Sequence, residues 1–177
     1  MEDSIGSRAR SIRWVVMGAS GCGKSTVGRE LAEAFAGGHV EGDAFHPIVN
    51  VAKMSAGQPL GDDDRAVWLR ASHDQIRSAR ARGVTLVLSC SALKRSYRDL
   101  LREADPALRF AHLHGTRELI ELRLSGRTDH FMPPVLLDSQ LEALEPLELD
   151  ELGIVLDIRH APAQLVRDIL ASEAGMA

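Results

Sequence analysis

The stretch Gly18-Ala19-Ser20-Gly21-Cys22-Gly23-Lys24-Ser25 decides the fold of this chain. It has the pattern G-x-x-x-x-G-K-S, which is typical of a loop that turns backbone N–H groups around a phosphate. Its glycines allow positive φ angles and a close approach of the backbone to the phosphate. Lys24 supplies a cation for the β- and γ-phosphates, and the hydroxyl of Ser25 can ligate Mg²⁺. The sequence therefore predicts a phosphate site formed by this stretch and the following Thr26.

The segments on either side of the loop support this prediction. Ile12–Met17 is an apolar run of the length of a buried strand. The segment after the loop, Lys24–Phe35, has an apolar helical face made of Val27, Leu31, Ala34 and Phe35. A helix in this position directs its positive N-terminus at the phosphates. The strand–loop–helix order argues against the alternative, a glycine-rich turn with an unrelated lysine.

Strand-like and helix-like segments alternate along the chain, which predicts an α/β fold. We expect a P-loop NTPase fold with a five-stranded parallel sheet and helices on both faces. The other strands are expected near His39–Glu41, Val84–Leu88, Leu108–His114 and Ile154–Ile158. The other helices are expected at Asp64–Arg82, Arg95–Ala104, from the cap Thr116 to Leu124, and at Pro162–Ala171. Residues 1–11 are expected to be a flexible leader, and residues 12–177 a single domain.

Composition argues against several classes of function. The 177 residues carry a net charge of −4, so neither nucleic acid nor an anionic membrane is an expected partner. No apolar stretch approaches the length of a membrane span. Met1–Arg13 lacks the apolar centre of a secretory signal. The two cysteines, Cys22 and Cys90, do not suggest a disulfide framework, so we expect a cytoplasmic protein.

A second polar cluster, Glu41–Pro47, follows the second expected strand. Ligands of open α/β sheets bind beyond the carboxyl ends of the strands, so this cluster is expected near the phosphate loop. A carboxylate there can accept the proton of a hydroxyl that attacks the γ-phosphate. Asp43 is the candidate for that role, and Glu41 is expected nearer the Mg²⁺ ion. The alternative interpretation of this cluster is a plain turn with solvated acids.

From His46 to Leu69 the chain resembles the signature of bacterial-type gluconokinases, which is H-P-x-x-N-x-x-K-M-x-x-G-x-P-L-x-D-x-D-R-x-x-W-L. Cys90–Arg98 is similar to the C-S-A-L-K-x-x-Y-R segment of that family. The lid and post-lid region is matched by His130-Phe131-Met132, Leu136-Leu137, Ser139-Gln140 and Leu144-Glu145. The resemblance extends from about Val15 to Asp157. It departs from the family at Val67, where proline is usual; the first turn of a helix tolerates proline but does not require it.

This resemblance implies ATP- and Mg²⁺-dependent phosphorylation of gluconate to 6-phosphogluconate by a homodimer. Gluconate is a linear, polyhydroxylated carboxylate, so its site needs cations and hydrogen-bonding groups together. Asp43 is expected to contact the hydroxyls. Donors and positive charge are expected from His46, Lys53, Arg65, Lys94 and His130. Lys94 follows the third strand, where phosphates and substrate should meet, and is a catalytic candidate as well.

Residues 125–133 fall between two helices, where kinases of this architecture carry a mobile lid. Closure of a lid excludes water that would otherwise hydrolyse ATP. Arg123, on the helix, and Arg127, in the loop, are expected to bind the nucleotide, because arginine can spread charge over a phosphoryl group in flight. Arg127 is the better candidate for a catalytic residue that moves with the lid. The alternative for both is an ordinary surface arginine.

Three functions compete. The first is an ATP:gluconate phosphotransferase, and the second is a P-loop kinase for another acceptor, such as shikimate, a related sugar acid or a nucleoside monophosphate. The third is a nucleotide switch or sensor. No D-x-x-G follows the third strand and no N-K-x-D occurs, which argues against a GTPase. An inactive sensor is disfavoured because the chain retains Lys24, Ser25, Asp43 and Lys94. The sequence does not identify the residues that contact adenine.

Overall fold

The structure of the protein is a computed structural model that describes residues 11–126 and 134–175. Its strands form one parallel sheet in the order β2-β3-β1-β4-β5. The strands are β1 (Arg13–Met17), β2 (Gly38–Glu41), β3 (Leu86–Ser89), β4 (Arg109–His114) and β5 (Gly153–Asp157). The predicted α/β fold with a five-stranded parallel sheet is therefore confirmed.

The helices of the described residues are α1 (Lys24–Ala34), α2 (Ile48–Ser55), α3 (Asp62–Ala81), α4 (Arg95–Ala104), α5 (Arg117–Ser125), α6 (Pro134–Ala143) and α7 (Pro162–Gly175). None of these helices is long and apolar enough to cross a membrane. Of the expected leader only Ser11 is described, and of the expected lid only Ser125 and Gly126.

Sequence analysis missed α2 and placed the start of β3 two residues too early. The helix α2 is short and contains the β-branched residues Ile48, Val49 and Val51, whose intrinsic helix propensity is low. Val84 was expected to begin β3, but its backbone N–H donates to the carbonyl of Ala79 at 3.0 Å and so completes the end of α3. In both places tertiary contacts override local preference.

Helices cover both faces of the sheet, as predicted, and each face carries a hydrophobic core. On one face Val16 packs with Leu31 of α1 and Ile169 of α7. On the opposite face Val15 packs in a cluster that includes Ile76 of α3 and Leu101 of α4. Neighbouring strand residues point to opposite faces, so the apolar strand β1 contributes to both cores. The sheet thus holds the carboxyl ends of β1, β2 and β3 side by side.

A buried ion pair joins α4 to the segment before β5. The fully buried guanidinium of Arg98 donates to both carboxylate oxygens of Glu151, at 2.6 and 3.0 Å. Burial opposes ionisation of Glu151 most strongly, but the hydrogen bonds from Arg98 and from the backbone of Glu148, together with the charges of Arg98 and Arg95, outweigh it and hold the pKa of Glu151 below its ordinary value. The other N–H groups of Arg98 reach the carbonyls of Ala92, Leu93, Glu145 and Pro146. The pair therefore fixes the loop that follows β3.

We expect Arg98→Met to lower the free energy of unfolding by about 3–5 kcal/mol, because it removes both arginine hydrogen bonds to a buried carboxylate. Glu151 would keep only the backbone N–H of Glu148 and the more distant Arg95, whose Nη1 is 3.7 Å away. Urea denaturation followed by circular dichroism measures this change. Arg117→Met is the matched control, since Arg117 pairs with Glu121 and Asp138 at the surface. Such a surface arginine contributes at most about 1 kcal/mol. Equal losses in the two variants would contradict a structural role for the buried pair.

Candidate active site

The phosphate loop lies between the end of β1 at Met17 and the start of α1 at Lys24. Gly18 and Gly21 have φ angles of 140° and 84°, in the region that favours glycine. A Cβ atom on Gly18 would lie 2.6 Å from the carbonyl oxygen of Leu113, and one on Gly21 would lie 2.8 Å from a side-chain carbon of Leu124. Both conformation and space therefore require glycine at these two positions.

Lys24 is held over the phosphate loop. Only 8% of this residue is exposed, and its Nζ donates to the carbonyl of Ala19 at 3.1 Å. The ammonium group thus lies across the loop whose backbone N–H groups bind phosphate in such motifs. Ser25 and Thr26 follow on the first turn of α1, at the helix N-terminus that favours anions.

The loop borders two cavities. The larger one has a volume of about 540 Å³. Its polar lining includes Ser20, Lys24, Ser25, Arg29, Glu41, Asp43, His46, Arg65, Ser139 and Gln140. The smaller one, of about 260 Å³, is lined by Gly21, Cys22, Gly23, Thr26, Val27, Arg123, His160, Pro162 and Leu165. We call them the main cavity and the side cavity. The loop residues Gly21 and Gly23 belong to both linings, so the two cavities adjoin.

A 3₁₀ turn at Gly42–Phe45 presents Asp43 to the main cavity. The indole Nε1 of Trp68 donates to the carbonyl of Gly42 at 2.8 Å. On the other side, a Cβ atom on Gly42 would lie 2.7 Å from the carbonyl oxygen of Ser89 in β3. The turn is therefore held between α3 and the sheet. The side chain of Asp43 is 59% exposed and faces the same space as Lys24.

The side chain of His46 is buried and lines the main cavity. Its ring stacks on Trp68 with centroids 4.8 Å apart, and its side chain is 8% exposed. Burial lowers the pKa of His46, and the nearby charge of Asp43 opposes this only in part. Its Nδ1 has no hydrogen-bond partner within the described part of the chain. At neutral pH His46 thus offers an uncharged imidazole that can donate or accept a hydrogen bond, rather than the positive charge expected from the sequence.

Lys53 and Lys94, both expected to bind substrate, do not line the main cavity. The Nζ of Lys53 lies 2.6 Å from Oδ1 of Asp64, and that of Lys94 lies 2.7 Å from Oδ1 of Asp62. Hydrogen bonds from these lysines hold the pKa of each aspartate below its usual range. Direct contact between either lysine and an acceptor would require its ion pair to break. The first turn of α3 therefore neutralises two of the expected cations.

Arg65 differs from these lysines because it lines the main cavity. No carboxylate of the described residues lies within ion-pair distance of it. Arg65 directly follows Asp64 on the first turn of α3, and its Nη1 donates to the phenol oxygen of Tyr97 at 3.0 Å. The structure thus leaves this guanidinium available for an anionic ligand.

Two residues of the main cavity were missed by the sequence analysis. Oε1 of Gln140 accepts the backbone N–H of Ser20 at 2.7 Å, and its Nε2 donates to the hydroxyl of Ser20 at 3.2 Å. The amide of Gln140 therefore ties α6 to the phosphate loop. Arg29 lies four residues after Ser25 on the same face of α1, a spacing that would have revealed it. Gln140 belongs to the family-like segment, but sequence alone gave it no role.

Arg123 connects the phosphate loop to the end of β5. Its Nη1 donates to the carbonyl of Cys22 at 3.4 Å, and its Nη2 donates to the carbonyl of Ile158. Burial raises the pKa of the Cys22 thiol, so this cysteine is a packing residue rather than a nucleophile. Arg127 and His130, the other candidates from this part of the sequence, lie outside the described residues.

Comparison with known proteins places this geometry among enzymes. A family model described as an AAA domain matches residues 14–147. The gluconokinase of Gluconobacter oxydans is 49% identical over 169 residues, which cover 96% of this chain and 94% of that protein. The thermosensitive gluconokinase of Escherichia coli is 43% identical over 148 residues, or 83% of this chain and 79% of that protein.

A solved structure agrees with these sequence matches. The crystal structure of a gluconokinase from Sinorhizobium meliloti aligns with a TM-score of 0.86 at 46% identity, covering 96% of this chain and 95% of that one. The sheet order and the loop between its central strand and first helix define a P-loop kinase. Identities above 40% over most of the length of each protein then narrow this class. The chain belongs to the gluconokinase family.

Proposed function

We propose that this chain transfers the γ-phosphoryl group of ATP to gluconate and releases 6-phosphogluconate and ADP. The observation that carries this proposal is that the main cavity brings together Lys24, Asp43 and Arg65. They supply a cation for the phosphates, a carboxylate for the acceptor hydroxyl and a cation for the acceptor carboxylate. A volume of about 540 Å³ lies within the usual range of small-molecule sites.

The nucleotide would occupy the phosphate loop and the side cavity. Backbone N–H groups of the loop and the N-terminus of α1 would hold the phosphates. The side cavity adjoins this loop and combines the flat guanidinium of Arg123 with His160 and Pro162. Guanidinium groups stack on planar rings, so this cavity suits the adenine base. This assignment supplies the base site that the sequence left open.

Ser25 and Glu41 would hold Mg²⁺. Both line the main cavity, and their oxygens are the hard ligands that this ion prefers. Across the described residues no three His, Cys, Asp or Glu side chains cluster as a metal site. Mg²⁺ suits such a sparse set, because it keeps several waters and binds one or two protein groups together with substrate phosphates. When bound, the ion would neutralise phosphate charge.

In the phosphoryl transfer, groups of this chain act on the acceptor hydroxyl and on the phosphate oxygens. The acceptor hydroxyl gives its proton to the carboxylate of Asp43, and its oxygen forms a bond to the γ-phosphorus. The bond from the γ-phosphorus to the bridging oxygen breaks, and ADP leaves. Lys24 stabilises the charge that the phosphate oxygens carry during this step. The remaining hydroxyls of gluconate can bond to His46, whose ring nitrogen accepts or donates.

Arg65 would bind the carboxylate of gluconate, and its removal tests this role. Because a hydrogen bond to a charged group contributes about 1.5–3 kcal/mol, we expect Arg65→Gln to raise the KM for gluconate by about tenfold or more. The KM for ATP should change by less than about threefold, since the proposed nucleotide site is formed by the phosphate loop and the side cavity, and Arg65 is absent from the lining of the side cavity. Steady-state kinetics with each substrate varied in turn measures both values.

Arg70→Gln is the control for this variant, because Arg70 is an exposed arginine on the same helix and outside the cavity lining. It should leave both KM values unchanged. A similar rise of the two KM values in Arg65→Gln, or no rise for gluconate, would overturn the assignment of Arg65.

An ADP-release assay over a panel of acceptors tests the function itself. The panel contains gluconate, other aldonic acids, shikimate and nucleoside monophosphates, and mass spectrometry identifies the phosphorylated product. We expect the highest kcat/KM with gluconate. A higher value for shikimate or a nucleoside monophosphate would overturn the proposal in favour of another kinase of this class.

We further propose a homodimer in the cytoplasm. The resemblance to gluconokinases supports the dimer, and sedimentation equilibrium of the purified protein tests it. The two free cysteines, both buried, suit a reducing compartment. Cell fractionation with an antibody against the chain tests the location.

A further inference from the structure

A chain of hydrogen bonds lies between α3 and α4, next to the main cavity. The Nη1 of Arg65 donates to the phenol oxygen of Tyr97 at 3.0 Å. The hydroxyl of Tyr97 in turn donates to Oδ1 of Asp62. The Nζ of Lys94 closes the chain by donating to both oxygens of Asp62, at 2.7 and 3.0 Å. Four side chains thus form one connected unit.

The chemistry of the four groups fixes the direction of this chain. An ionised carboxylate only accepts hydrogen bonds, and an arginine only donates them. Hydrogen bonds from Lys94 and Tyr97 hold the pKa of Asp62 below its usual range, so Asp62 stays an acceptor. Burial and the bond to Asp62 raise the pKa of Tyr97, so the phenol keeps its proton. That proton goes to Asp62, and the oxygen lone pairs of Tyr97 face Arg65.

Tyr97 is placed to support Arg65 without meeting the ligand itself. It is 6% exposed and absent from the lining of the main cavity, whereas Arg65 belongs to that lining. The guanidinium carbon of Arg65 lies 5.6 Å from the centroid of the tyrosine ring, within the range of a cation–π contact. Tyr97 therefore holds the guanidinium through both its ring and its hydroxyl.

Lys94 gives this arrangement its stability. Asp62 lies on the same helical turn as Arg65 and would compete for the guanidinium if it were unpaired. Lys94 occupies both carboxylate oxygens, and its Nζ also lies 5.5 Å from the centroid of Tyr97. With Asp62 occupied in this way, Arg65 stays free for a ligand in the cavity.

We propose that Tyr97 is a positioning residue for the acceptor: its hydroxyl, oriented by the Asp62–Lys94 pair, holds the guanidinium of Arg65 toward the main cavity. This inference rests on the proposed function, in which Arg65 binds the carboxylate of the sugar acid. A free arginine side chain loses rotamer entropy when a ligand fixes it. Holding the arginine in advance removes part of that cost and so strengthens acceptor binding.

Tyr97→Phe tests the proposal because it keeps the ring and removes only the hydroxyl. We expect the KM for gluconate to rise by about tenfold, the equivalent of one hydrogen bond of ordinary strength. The kcat and the KM for ATP should stay within about twofold, since the groups at the reacting phosphate are unchanged. In the background Arg65→Gln the same substitution should add no further rise, because the side chain that it positions is gone.

Two neighbouring aspartates of α3 provide a second test and its control. Asp62→Ala removes the acceptor that orients the hydroxyl of Tyr97 and should raise the KM for gluconate in the same direction. Asp63→Ala changes the neighbouring exposed carboxylate, which takes no part in the chain of hydrogen bonds, and should leave this KM unchanged.

The outcomes separate this proposal from the proposed function. A wild-type enzyme that phosphorylates gluconate, together with Tyr97→Phe of unchanged KM, would overturn the positioning role alone. So would independent, additive effects of Tyr97→Phe and Arg65→Gln, or a lower unfolding midpoint as the only change. A wild-type enzyme that prefers an uncharged acceptor would instead overturn the function and leave no carboxylate for Arg65 to bind.

Discussion

Lys24→Ala is expected to lower kcat by about a hundredfold or more while the protein still folds, since contacts to charge that develops in the transition state are worth at least this much. The ammonium group of Lys24 lies across the phosphate loop and lines the main cavity. In the transition state the bonds from the transferred phosphorus to the leaving and attacking oxygens are both long, and the negative charge is spread over the phosphoryl oxygens. A cation at this position therefore acts mainly in the transition state. Rapid-quench measurement of ADP formation with saturating ATP and gluconate reports the change.

Lys24→Met separates the charge of this residue from its packing. Lys24 is 8% exposed, and methionine retains most of its buried volume without the ammonium group. We expect this variant to lose activity to the same extent as Lys24→Ala and to keep the thermal midpoint of the wild type. A Lys24→Ala enzyme that retains more than about a tenth of the wild-type kcat would contradict a direct role for the charge.

The phosphate loop could be predicted because its information is local. Gly18 and Gly21 need positive φ angles and free space, and both requirements appear as glycines in a short pattern. The strand and helix around the loop are equally local, since an apolar run and a 3.6-residue periodicity define them. The position of Asp43 followed from one general rule, that the carboxyl ends of parallel strands meet at one edge of the sheet.

The partners of the charged side chains could not be predicted in the same way. Sequence analysis assigned Lys94 to the substrate, but in the structure it binds Asp62, which is 32 residues away in the chain. Gln140 bonds to Ser20 across 120 residues, and no pattern within either segment indicates this contact. Such pairs depend on how α3, α4 and α6 pack on the sheet. Composition can supply the cations of a site, but tertiary packing decides which of them stays free.

The ion pairs on the first turn of α3 affect the specificity expected of the main cavity. Asp62 and Asp64 pair with Lys94 and Lys53, whereas Arg65 on the same helix faces the main cavity and lacks a carboxylate partner among the described residues. In the proposed function this guanidinium would bind the carboxylate of the acceptor. A nucleoside monophosphate would have to place its phosphate, which is its acceptor group, beside the carboxylate of Asp43 and would meet repulsion there. The acceptor hydroxyl of an aldonic acid is uncharged, so this site favours an aldonic acid.

Asp43→Asn is expected to lower kcat by about a hundredfold or more, the usual contribution of a general base, while the affinity for ATP stays nearly unchanged. Asparagine has the shape of aspartate, but its amide cannot take the proton of the attacking hydroxyl and presents donors where the carboxylate only accepts. The turn that carries this residue should survive, because Trp68 holds it through the carbonyl of Gly42 rather than through the side chain of Asp43. Single-turnover kinetics with gluconate and calorimetry with a non-hydrolysable ATP analogue measure the two quantities.

Asp74→Asn serves as the control, since Asp74 pairs with His73 and Arg77 on α3 and is absent from the cavity lining. It should leave kcat unchanged. If Asp43→Asn instead weakened the binding of ATP and gluconate equally and kept a normal kcat, Asp43 would be a structural or metal-positioning residue. The proton would then have to pass to another group of the main cavity, and neutral His46, with its Nε2 4.0 Å from Oδ1 of Asp43, is a side chain able to accept it.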